Sequence, residues 1–222
     1  MDWFEWHKLY ERKPALKRRL ELVCKQLSDC LNLCPSGEIR VLSVCAGDGR
    51  DLIGALKGHP REQDVMARLV EWDPRLVECG REMAASTGLS ARLEFLNGDA
   101  TSSSAYDGIA PANLVLLCGM LGHVDEASTL RLVRHLPALC QSGGFVIWTR
   151  NLNYRNGNHH ADLFRSLLRK SAFEEVRFET TSRKHLFMKT SQGRFVVSTY
   201  RYRGESTVLP VNQKLFEIME PS

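Results

Sequence analysis

A chain of 222 residues, 43% hydrophobic and 25% charged, can bury the core of one large domain and has no apolar run long enough to span a bilayer. The formal net charge is only +4. The excess sits in residues 151–222, with 12 basic against 7 acidic side chains, and is too weak to imply a nucleic-acid partner.

The amino terminus, Met1 to Trp6, carries acids and lacks the basic-then-apolar layout of a signal peptide. Seven cysteines, at 24, 30, 34, 45, 79, 118 and 140, include no Cys-x-x-Cys pair. They fit a reduced cytoplasmic chain with no metal site and no disulfide framework. Residues 3–10 are dense in aromatics: either a lid over a site or a segment docked by its rings. With the helix that follows, they make residues 1–38 an N-terminal helical lid or cap ahead of a main domain over 39–222.

That helix is predicted over residues 14–33. Leu16, Leu20, Val23, Leu27 and Leu31 recur at spacings of three and four, and Pro14 stands at its start. From residue 39 strand and helix signals alternate, the mark of a parallel sheet with crossover helices. Strands are predicted over 39–44, 67–72, 91–96, 113–118 and 145–149, the fourth being apolar enough to be central. Helices fall over 50–57, 74–86, 126–140 and 159–171. The stretches 173–180 and 194–202 read as strands, and the 13 residues between them are too few and too polar for a packed crossover helix. A hairpin follows, giving an antiparallel pair at one end of the sheet.

Three strand ends carry the chemistry. The first runs into Ala46-Gly47-Asp48-Gly49 at a helix start, a turn that lets a ligand approach backbone N–H groups. The second ends at Glu71, where a carboxylate can accept both hydroxyls of a ribose. The third ends at Asp99, where a carboxylate can accept from an adenine amino group. All three converge on the switch point of the sheet. A dinucleotide fingerprint would place a third glycine at position 52, which is Leu, so a nicotinamide cofactor is disfavoured.

At these residues the chain resembles class I S-adenosylmethionine-dependent methyltransferases. Val41 to Leu52 looks like their first motif, Leu69 to Pro74 like the ribose motif, and Asn97-Gly98-Asp99-Ala100 like the adenine motif. With Leu116-Leu117-Cys118-Gly119 and Trp148-Thr149-Arg150, the closer resemblance is to bacterial members of unassigned substrate. The resemblance implies a Rossmann-like α/β fold: a mostly parallel seven-stranded sheet, an antiparallel C-terminal hairpin and helices on both faces. It implies S-adenosyl-L-methionine as cofactor, with Cys45, Ala46, Gly47 and Gly49 at the methionine end and Glu71 on the ribose. Trp72 would lie beside the adenine, Asp99 and Ala100 would read the base, and Cys118 with Met120 would border the sulfonium. Plain core packing is the alternative for Trp72 and Met120. The family usually carries an acid where Ser43 stands and a glycine where Cys45 stands, so either Asp48 or Asp51 substitutes as the carboxylate for the methionyl amino group or backbone carbonyls suffice.

Methyl transfer asks chiefly for orientation, and a base only where the acceptor must lose a proton. His123, after the fourth strand, and Arg150, leaving the fifth, are the catalytic candidates, against a surface histidine and a salt-bridged arginine. The Asn/Asp-Pro-Pro-Tyr run of enzymes that methylate planar nitrogens is absent: residues 118–123 read Cys-Gly-Met-Leu-Gly-His. A small-molecule acceptor is expected. The alternatives are a cofactor-binding protein without turnover and an RNA methyltransferase.

Overall fold

The computed structural model describes residues 2–181 and 193–219. Seven strands form one sheet: β1 (Ile39–Val44), β2 (Val65–Glu71), β3 (Leu93–Asn97), β4 (Ala112–Leu117), β5 (Cys140–Asn151), β6 (Phe173–Thr180) and β7 (Phe195–Tyr202). Their order is β3-β2-β1-β4-β5-β7-β6. The first five strands are parallel, and β7 lies antiparallel between β5 and β6. This is the expected α/β architecture with its antiparallel pair at one end. Most of the connection between those two strands, residues 182–192, lies outside the described residues.

Strand periodicity divides the core between two faces. Leu42 and Val44 of β1, Val115 and Leu117 of β4, and Val146 and Trp148 of β5 join helices α5 (Glu126–Leu139) and α6 (Gly157–Lys170). Ile39 and Val41, Leu114 and Leu116, and Phe145 and Ile147 face the other way. They pack on α2 (Pro14–Leu33), α3 (Arg50–Leu56) and α4 (Pro74–Ser86). Every residue of β4 is buried, as suits the middle strand of seven.

Helix α2 covers the whole predicted span, opens on Pro14 and buries Leu16, Val23, Leu27 and Leu31. Its Gln26 bridges to β7, accepting from the Thr199 hydroxyl at 2.7 Å. Residues 14–33 therefore form a layer of the domain core. Helices α4 and α5 start where Asp73 and Asp125 accept backbone N–H groups of their first turns.

Most boundaries agree to within about two residues, and the largest difference lies in β5. β5 starts at Cys140 and not at Phe145, because Gly143 adopts φ +78° and Gly144 lies too close to the carbonyls of Asn113 and Gln141 for a side chain. The glycine pair carries the strand through a register shift beside Ala112. Past β7, the tail from Thr207 to Met219 returns along the upper edge. Its Leu215 N–H donates to the Thr101 carbonyl at 2.7 Å, and Met219 N–H to that of His123 at 2.7 Å. Leu215 and Phe216, fully buried, anchor it. Among the described residues no helix is long and apolar enough to cross a membrane.

Candidate functional site

The carboxyl ends of β1, β2, β3 and β4 open into one cavity of about 540 Å³. The turn after β1 enters it through Cys45, held at φ +53°, and Ala46, whose N–H donates to the Val70 carbonyl at 2.9 Å. Glu71 closes β2 with 8% exposure. One of its carboxylate oxygens accepts the Gly47 N–H at 2.8 Å and the other the Asp73 N–H at 2.9 Å. Asp99 lines the same wall, its Oδ1 accepting the Thr101 N–H at 2.8 Å. The two strand-end carboxylates thus face one chamber on the side of the glycine turn.

Trp72 is 74% exposed and lines this cavity, so core packing does not account for it. Asn97 holds its backbone, donating through Nδ2 to the Trp72 carbonyl at 2.8 Å. Ala100, Cys118 and Met120 line the cavity as well, Ala100 and Met120 both buried. Burial, then the charges of Glu71 and Asp99, pushes the Cys45 thiol up. Burial and Asp51 do the same to Cys118. Both are neutral thiols at physiological pH.

Asp48 and Asp51 line the chamber in different states. Burial opposes ionisation of Asp48, but Arg50, donating from Nε at 2.9 Å to each carboxylate oxygen, outweighs it and holds the carboxyl below its usual range. Asp48 is therefore already paired. Burial raises Asp51, whose Oδ1 accepts the Leu52 N–H at 2.8 Å and whose carboxyl also faces the Cys118 thiol.

Three expected members do not reach the wall. The His7 ring packs on Gly47 where a side chain would stand, and covers it. Gly49, at φ +68°, lies against Leu69 and Phe95, so its missing side chain serves helix-on-sheet packing and not ligand approach. Arg150 is 3% exposed and turned away. Its Nη2 donates to the carbonyls of Tyr154 and Arg155 at 2.9 and 2.8 Å, and the guanidinium borders a separate water-sized void with Trp148, His160 and Phe164. Among the described residues the salt bridge expected as its alternative is not formed either.

His123 does line the cavity, in the short turn Leu121–His123 after β4. Trp3 meets its ring edge-on with centroids 4.6 Å apart, and the His123 Nδ1 is buried without a hydrogen-bond partner among the described residues. Burial first, then the Arg155 and Arg150 charges, drives its pKa down to about 4, so the imidazole is neutral.

The sequence singled out the aromatic terminus without deciding its place. Trp3, Trp6, His7 and Tyr10 all border the chamber, and Asp2 ties the segment to Arg75 of α4 at 2.8 Å. Tyr10 is buried with Leu16 and Phe195. Lys214, Ile218 and Met219 of the tail complete the rim. No motif marks them, because only the path of the tail brings them there. Arg19 was also missed, although one signal existed: it lies on the apolar stripe of α2, three residues after Leu16 and four before Val23. Among the described residues no cluster of three or more His, Cys, Asp or Glu is arranged to hold a metal.

Comparison with known proteins bears on the family and the fold. Residues 1–154 match the family described as "Putative methyltransferase". An uncharacterised Escherichia coli K12 protein, YnbC, is 27% identical over 146 residues, 65% of this chain, but the chain spans only 24% of that relative's length. The fold is similar to that of a Burkholderia thailandensis 1,6-didemethyltoxoflavin-N1-methyltransferase solved with S-adenosylhomocysteine. That match has a TM-score of 0.63 and 19% identity over 90% of this chain and 84% of the other. It is also similar to the CurJ carbon methyltransferase, with a TM-score of 0.66 and 14% identity over 91% and 59% of the two chains. At such identities the structures speak for the fold, whereas the family match covers most of the chain. The chain belongs to this methyltransferase family.

Proposed function

We propose that the chamber binds S-adenosylmethionine and that the enzyme transfers its methyl group to a small-molecule acceptor enclosed beside it. The observation that carries this reading is the convergence of Glu71, Asp99 and Trp72, from two consecutive strand ends, on one cavity. Each Glu71 oxygen spends one lone pair on a backbone N–H and keeps another for a ribose hydroxyl. Asp99 is the acceptor for the adenine amino group, and the exposed Trp72 ring offers a face to the base. The bound cofactor supplies an electrophilic methyl on a sulfonium. Around it Cys45, Cys118 and Met120 form a soft wall whose thiols, kept protonated by burial, do not compete as nucleophiles.

Rate enhancement then rests on alignment of acceptor and methyl, which is worth about 7–11 kcal/mol in well-oriented systems. His123, neutral with a pKa of about 4, accepts a hydrogen bond from the acceptor and is a weak base. Residues 2–10 act as a lid whose rings, with the tail residues Ile218 and Met219, leave room for a small acceptor and not for a nucleic-acid strand. Arg150 acts at a distance, supporting the turn that carries His123. Seven free cysteines suit a reducing, cytoplasmic setting.

Parallel calorimetric titrations with S-adenosylmethionine and NAD test the cofactor, and S-adenosylhomocysteine release from an acceptor library tests turnover. The reading expects micromolar-range binding of the first alone and release with at least one small acceptor. Binding of NAD alone removes it. Binding without release from any acceptor turns it into a cofactor-binding protein.

A further inference from the structure

Arg19 presents an unusual charge at the chamber wall. It projects from α2, outside every motif, and is only 5% exposed. Its guanidinium lies 5.2 Å from the Tyr10 ring and 5.8 Å from that of Phe195. Nη1 approaches Gly119, at the end of β4, to 3.4 Å of where a side chain would begin. Among the described residues, Nε is buried without a hydrogen-bond partner and no carboxylate comes within 4.0 Å of the group. An arginine cannot discharge itself by losing its proton, so a buried one without an anion is incomplete.

Across from it stands Asp51, the second residue of α3. Arg19 acts on Asp51 electrostatically, yet among the described residues the two form no ion pair, so cavity space separates the guanidinium from a carboxyl group that also faces the Cys118 thiol. The ligand that fills such a gap carries both charges close together, as an α-amino acid does. Elsewhere on this wall the negative charges have other partners: Asp48 is held by Arg50, and Glu71 by two backbone amides. Ser43, buried at 2% exposure where the family carries an acid, brings no charge.

We propose that Arg19 and Asp51 form the subsite for the amino-acid end of the methyl donor, Arg19 taking its carboxylate and Asp51 its ammonium, in place of the strand-end acid missing at Ser43. The subsite rests on the cofactor reading above. It moves recognition of the methionyl group from β1 to a pair of helices, and it makes α2 a part of the binding machinery as well as of the core.

Three ligands separate the charges: S-adenosylmethionine, its decarboxylated analogue, and 5′-methylthioadenosine, which lacks the amino-acid end. The wild-type protein is expected to prefer the first over the second by about ten- to a hundredfold, the range for a charge-assisted hydrogen bond. Arg19→Met should erase that preference while 5′-methylthioadenosine binds as before, which also reports that the fold is intact. Arg19→Lys should restore part of the preference. Asp51→Asn should weaken the first two ligands alike, by about fivefold or more, and leave the third unchanged. A preference that survives Arg19→Met overturns the proposal and assigns the arginine to the acceptor or to packing. Should Arg19→Met also lose 5′-methylthioadenosine, Arg19→Lys decides, and a wild-type preference there without any decrease overturns it equally. Failure of the cofactor reading looks different: the wild type then binds none of the three.

Discussion

The carboxylate of Glu71 accepts the Gly47 N–H at 2.8 Å, tying the end of β2 to the glycine turn after β1. That bond sets the distance between two walls of the chamber before any ligand arrives. It also means that the residue expected to hold the ribose is a structural strut.

Substitution at this strut therefore affects two quantities. In Glu71→Gln the amide nitrogen must face one of the two backbone donors, which leaves that N–H unpaired and costs about 1–3 kcal/mol. Urea denaturation should show this loss together with at least tenfold weaker cofactor binding by calorimetry. Asp99→Ala removes one part-buried bond to Thr101 and should weaken binding, with a smaller loss of stability than in Glu71→Gln. Unaltered affinity in both variants would remove the adenosine site.

Glycines 49 and 58 have similar φ angles, +68° and +73°, and different surroundings. A methyl at 49 meets Leu69 and Phe95, whereas at 58 it meets open space. Gly49→Ala should cost about 2–4 kcal/mol, combining left-handed strain with overpacking, and Gly58→Ala only about 1. Equal denaturation midpoints for the two would contradict the packing role given to Gly49. Gly47→Ala should instead push His7 off the turn and loosen the terminal segment.

His123 sets a pH dependence with a definite sign. Its pKa falls from the ordinary 6.5 to about 4 on folding, so between those values the unfolded chain binds the extra proton. The contribution is fully present above pH 6.5 and is lost as pH falls towards 4. It is on the order of 1–2 kcal/mol after allowance for the solvent the half-buried ring still meets. Nitrogen NMR should find the imidazole neutral at pH 5.5, and methyl transfer should show no histidine titration between pH 6 and 8. A charged imidazole at pH 6 would disprove the burial of this ring.

Trp72 and the amino-terminal rings separate binding from folding. Trp72→Ala removes an exposed ring and should change stability by less than about 0.5 kcal/mol while weakening adenosine binding. Deleting residues 1–8 removes Trp3, Trp6 and His7 but spares the buried Tyr10. As a lid, this segment should take cofactor affinity with it and leave the melting temperature nearly unchanged. Tyr10→Ala, which opens the packing against Leu16 and Phe195, should lower the melting temperature. A melting temperature that collapses on deletion would make the segment a dock.

Local patterns in the sequence determined most of the sheet. Apolar alternation and the spacing of glycines, aspartates and prolines mark β1, β6, α2 and α4 to within a residue or so, because those features act between neighbours along the chain. They also mark Glu71, Asp99 and the turn at 45–49, since a strand end is a sequence-local event. Tertiary structure alone decided what closes the chamber. Whether Arg19 on an apolar stripe is an error or a binding group depends on what faces it from α3 and β4. The tail reaches the rim only because Leu215 and Phe216 find a groove beside Thr101 and His123, and Arg150 leaves the site because its guanidinium finds carbonyls behind the sheet edge. Contacts between residues a hundred positions apart follow from packing as a whole, and no short window of residues encodes them.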